Sequence, residues 1–155
     1  RTKITKTAIV MLVLILSFVT FSAVENPATV SNGRLTIHVA RIYKNNSKSQ
    51  MYLAGSLDAT VENWLQSTVM KIKILCDNNP EPVFSGSIPI ENFKFANKKL
   101  TYESDTPIAY VQLNAVNKTF VIIGVKDELA SDFKTATLEI ALTNYLGRCT
   151  KQIAR

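Results

Sequence analysis

Residues 135–143 read Thr-Ala-Thr-Leu-Glu-Ile-Ala-Leu-Thr, and their period of two decides the fold. Ala136, Leu138, Ile140 and Leu142 project to one side, while Thr135, Thr137, Glu139 and Thr143 project to the other. That alternation belongs to a β-strand with one buried face, whereas a helix would repeat every 3.6 residues. Outward along the chain the same rhythm recurs. Met70, Ile72, Ile74 and Cys76 point inward in residues 69–76, with Lys71 and Lys73 outward. Leu35, Ile37 and Val39 repeat it in a first strand, and Leu53, Gly55, Leu57 and Ala59 in a second.

Residues 107–126 read as a hairpin. Asn117-Lys118 forms its expected turn, because Asn tolerates the positive φ of a tight loop, and Val111 and Leu113 then share a face with Phe120 and Ile122. The pattern predicts strands at 34–43, 50–59, 68–76, 83–90, 92–103, 107–116, 119–126 and 135–144, with a ninth at 148–153. Breaks fall at Asn45-Asn46-Ser47, Asn78-Asn79-Pro80, Asn97-Lys98-Lys99 and Asp105-Thr106-Pro107. About eight short strands at this spacing predict an all-β antiparallel β-sandwich, Ig-like or jelly-roll-like. One-sided alternation further predicts two sheets with wet outer faces. Val61 to Ser67 and Lys126 to Phe133 lack alternation and carry acids near their starts, so each is expected to form a turn or two of helix.

The N-terminus is different in kind. Arg1, Lys3 and Lys6 precede the apolar run Ala8 to Leu16, and the first carboxylate is Glu25. This is the order of a secretory signal peptide. Ala8 to Val24 would extend roughly 26 Å as a helix, near the lower limit for a membrane span, so the rival is an uncleaved anchor. Thr20-Phe21-Ser22 is a tolerable cleavage motif, and Phe21-Ser22-Ala23 a poor one because Phe21 is bulky. A chain opening on Arg is expected to have a few residues ahead of it. The expected organisation is a signal peptide or signal-anchor helix at 1–23, a lead-in at 24–33 and a single β-sandwich domain at 34–155. The chain carries 18 basic and 12 acidic residues, a net of +6. Half of that excess is Arg1, Lys3 and Lys6, so the domain is left near +3 and nothing in it calls for nucleic acid.

Few residues offer chemistry. Cys76 and Cys149 are the only cysteines, and in an oxidising compartment an even pair predicts one disulfide. It would close a loop of roughly 70 residues, worth about 4 kcal/mol by chain entropy. His38 is the only His and lies in a strand opposite the apolar set, with no triad or zinc spacing around it. Glu62, Glu91, Glu103, Asp105, Asp127 and Asp132 are the carboxylates from which a glycosidase pair would have to come. Asp127, Glu128 and Asp132 are close enough in sequence to hold a hard cation weakly, without the spacing of an EF-hand. Trp64 and the lysines Lys94, Lys98 and Lys99, interleaved with Phe93, Phe95 and Tyr102, are the candidate binding residues, since loop aromatics anchor ligands. The competing reading of Trp64 is a plug at the open end of the sandwich.

No cofactor, metal or catalytic motif follows from these residues. The expected function is that of an exported, non-enzymatic β-sandwich, a binding or envelope/surface assembly module in a secreted or periplasmic location. Its partner would be a protein or glycan, not nucleic acid, with the membrane touched only through residues 8–24 if they remain attached. The alternatives are a secreted hydrolase with paired carboxylates and a structural pilus- or adhesin-type subunit.

Overall fold

The structure is a computed structural model that describes residues 32–130 and 132–155. The signal peptide or signal-anchor helix expected at 1–23 and most of the lead-in expected at 24–33 lie outside the described residues. In chain order the elements are β1 (Asn32–Gly33), β2 (Leu35–Asn45), β3 (Lys48–Leu57), α1 (Val61–Leu65), β4 (Val69–Cys76) and β5 (Phe84–Pro89). A 3-10 turn at Ile90–Asn92 leads to β6 (Lys94–Ala96), β7 (Lys99–Glu103), β8 (Ile108–Asn114), β9 (Thr119–Lys126), β10 (Thr135–Leu142) and β11 (Tyr145–Gln152). One sheet has the order β1-β11-β10-β4-β5 and the other β2-β3-β9-β8-β7-β6. Ladders within the sheets are antiparallel except the two-residue contact of β1 with β11.

The two sheets share one core, which makes the molecule sandwich-like. Met70, Ile72 and Ile74 of β4 and Leu138 and Ile140 of β10 meet Met51, Leu53, Phe120 and Ile122 of the facing sheet in that core, all almost fully buried. Gly124 on β9 faces the Phe84 ring of the opposite sheet so closely that an added Cβ would stand 2.8 Å from it. Tyr145 is buried and its hydroxyl donates to the Arg34 carbonyl at 2.9 Å. Burial, with the charge of Asp58 nearby, pushes that phenol well above its ordinary range.

α1 is held by local chemistry rather than by length. Thr60 Oγ1 accepts from the Asn63 N–H at 3.2 Å and Asn63 Oδ1 accepts from the Thr60 N–H at 2.8 Å, a reciprocal cap. At the other end of the sheets Asp77 Oδ1 accepts the N–H groups of Thr135 at 2.9 Å and Lys134 at 2.8 Å, tying the β4–β5 loop to the start of β10.

Several expectations are corrected. Cys76 and Cys149 are not paired. Cys76 stands opposite Ala136 and Cys149 opposite Leu138, so β10 lies between them. Two strand spacings of about 4.8 Å each already exceed the roughly 7 Å that a disulfide allows between Cα atoms. Val39 does not continue the inward set of Leu35 and Ile37. A bulge at His38 shifts the register between Ile37 and Val39, so Ala40 is buried instead and Val39 turns outward. Residues 92–103 are not one strand. Asn97 and Lys98 both take positive φ, 51° and 63°, and form the two-residue hairpin loop between β6 and β7. The turn after β8 spans Ala115 to Lys118, so Leu113 pairs with Phe120 and Val111 with Ile122. Residues 127–130 are irregular rather than helical, with Leu129 buried as their anchor.

Candidate functional site

The residues expected to bind are separated. Lys94, Lys98 and Lys99 sit together on the β6–β7 hairpin at the edge of the six-stranded sheet, where Lys94 and Lys98 are exposed and Lys99 partly so. Trp64 is in the core under α1, only 3% exposed, and its Nε1 has no hydrogen-bond partner among the described residues.

Carboxylates and His38 do not converge on a buried centre. Glu62, Glu91, Glu103, Asp105, Asp127 and Asp132 are all exposed. Among the described residues no three His, Cys, Asp or Glu side chains are grouped as a metal site. His38 Nε2 lies 3.2 Å from Ser56 Oγ on an exposed sheet face, and no carboxylate among the described residues is bonded to the other ring nitrogen. A nucleophile–base pair needs that third group to orient the imidazole.

Two concavities stand out among the described residues. A cleft of about 440 Å³ lies on the outer face of the five-stranded sheet, between Lys73, Thr137, Glu139 and Arg148 and the loop carrying Pro80 and Pro82. Within it Arg148 Nη1 donates to Glu139 Oε2 at 2.7 Å, and the Thr137 and Thr150 hydroxyls share a hydrogen bond of 2.7 Å. A wider opening of about 980 Å³ at the Asp77 end brings Lys44 and Lys48 of the β2–β3 hairpin opposite Asp127, Glu128 and Asp132.

The surface that departs most from a solvated sheet is the outer face of β2, β3, β9, β8 and β7. Wet outer faces are the expectation for one-sided alternation, and the five-stranded sheet keeps Lys71, Lys73, Ser85, Ser87 and Arg148 outward. On the six-stranded sheet the register aligns Glu103, Tyr110, Ile123, Tyr52 and Arg41 in one row across five strands. The neighbouring row places Val121, Ala54 and Val39 side by side. Val125 and Tyr43 extend the apolar area, with Tyr43 47% exposed and edge-on to Tyr52 at 6.5 Å between ring centroids. The Tyr110 hydroxyl donates to Gln112 Oε1 at 2.9 Å on the same face. Its polar tip is therefore satisfied within the sheet, which lowers the cost of covering it. This apolar field with a cation at one rim and an anion at the other is the candidate functional site. Sequence reading missed it because the outward residues of β9 (Thr-Phe-Val-Ile-Ile-Gly-Val-Lys) form this surface only with side chains of four other strands, which cross-strand register alone aligns.

Comparison with protein-family models, curated proteins and solved structures finds no match for this chain. No helix among the described residues is long and apolar enough to cross a membrane.

Proposed function

We propose that residues 1–23 export the chain and that residues 34–155 form an Ig-like sandwich that works by contact with protein in an extracytoplasmic assembly, without catalysis. The strand orders β2-β3-β9-β8 and β11-β10-β4 support the Ig-like form, since they follow the A-B-E-D and G-F-C orders of such domains. The observation that carries the interaction reading is the apolar outer face centred on Ile123, because contiguous apolar surface with a charged rim is characteristic of interfaces. The scattered, exposed carboxylates support the non-catalytic reading, since a glycosidase acid needs a partner acid and desolvation. A glycan, peptide and ester panel applied to the purified protein is expected to give no turnover. Hydrolysis lost on substituting Asp127 or Asp132 would replace this reading with the hydrolase. Mass spectrometry of the exported chain is expected to find the N-terminus just after residue 22 or 23.

A further inference from the structure

Resting on the interaction reading above, we infer that the partner on the six-stranded face is a second copy of this chain, bound through a two-fold axis along β9. The row Glu103–Tyr110–Ile123–Tyr52–Arg41 has Ile123 at its centre and opposite charges at its two ends. Within one chain the two charges are four strand spacings apart, about 19 Å, too far to pair. Neither makes an ion pair among the described residues, where the one pair present is Arg148 with Glu139.

A two-fold axis lying between two such faces, parallel to β9 at Ile123, exchanges left and right across the row. Ile123 then meets Ile123 of the second copy, Tyr52 meets Tyr110, and Arg41 meets Glu103, twice over by symmetry. That is the self-complementarity an isologous dimer requires. The adjacent row agrees: Val121 falls on the axis, and Ala54 and Val39 face Gln112 and Thr101 of the other copy, with no like charges opposed. Aligned sheet packing rotates strand directions by about 30°, a displacement at the row ends that Arg and Glu side chains span. Five strands at about 4.8 Å, each presenting roughly seven residues at about 3.4 Å, project to an area on the order of 500 Å². Side-chain relief raises the accessible area of such a face toward the ~800 Å² per partner of a standard interface. Edge-to-edge pairing is the weaker route for a second copy. β6 is a three-residue edge carrying Lys94, and β2 is bulged at His38 and bridged by Ala154 at Arg41.

The test is sedimentation velocity of the purified full chain in a mild detergent, for wild type, Arg41→Glu, Glu103→Arg and the double swap. Wild type is expected to be a dimer at ~50 µM, each single swap to raise the dimer Kd at least about tenfold, and the double swap to return it to within about threefold of wild type. Ile123→Lys is expected to give monomer, and all three substituted positions lie on the outer face, so circular dichroism is expected to register a native fold for every variant. A wild type that stays monomeric at ~200 µM overturns the inference, leaving the face to a different protein. A dimer indifferent to both charge swaps and to Ile123→Lys also overturns it, since association would then arise elsewhere in the chain. Neither result touches the non-catalytic reading, which only turnover in the substrate panel would remove.

Discussion

Cys76 is buried at the end of β4, and burial together with the charge of Asp77 pushes its thiol up to about 11. Cys149 is only partly buried and its sulfur accepts the Ile37 N–H at 3.4 Å. A thiol-specific reagent at neutral pH is therefore expected to modify Cys149 first and Cys76 only on unfolding, with two thiols titrated in denaturant. Zero free thiols in denaturant would restore the disulfide. Gly124 makes a different point at the same scale. Its missing side chain is filled by the Phe84 ring, so Gly124→Ala forces the sheets apart or the ring aside. The cost is expected at about 1–3 kcal/mol, read as a lower urea midpoint with unchanged slope. A wild-type midpoint would mean that the intersheet gap yields freely. All three residues were visible in the sequence, but nothing there said what stood opposite them.

At the scale of elements, Asp77 links β4 to β10 across the loop end. The N–H groups of Thr135 and then Lys134 hold its carboxyl below the ordinary value of 3.8. A depressed carboxylate stabilises the fold fully above its unfolded pKa and loses that contribution as pH falls through the folded one. Asp77→Asn keeps an acceptor oxygen and tolerance of the positive φ there, 51°, while removing the charge. The variant is expected to be less stable than wild type at neutral pH, with the gap closing as pH drops below about 4. Thermal midpoints at pH 7, 5 and 3 measure it, and a gap constant with pH would rule out the carboxylate as the cause. Strand placement was largely legible, because alternation over 69–76 and 135–143 leaves one reading of each face. Register was not. A two-residue turn at Asn117-Lys118 and the observed turn at Ala115 to Lys118 give the same inward faces, since they differ by two positions and side chains repeat every two. The bulge at His38 changed a face because it inserted one residue.

Across the whole molecule, the strand rhythm required a sheet structure with an apolar interior, and the core agrees: Leu35, Ile37, Leu53, Ile72, Leu138 and Ile140 are all buried. The candidate site was much less legible. Trp64 and the lysines Lys94, Lys98 and Lys99 stood out by residue type, yet one lies in the core and three lie on an edge hairpin. The row from Glu103 to Arg41 joins five strands spread over more than 80 positions, and no local window contains it. By itself the sequence determined which residues alternate, where the chain turns and which side of most strands is apolar, because those depend on neighbours one to four positions away. Tertiary structure alone decided which strands are adjacent, that β10 keeps Cys76 from Cys149, and that tyrosines and charges from separate strands align on one face. Those outcomes depend on cross-strand register, which is settled by the packing of the whole core.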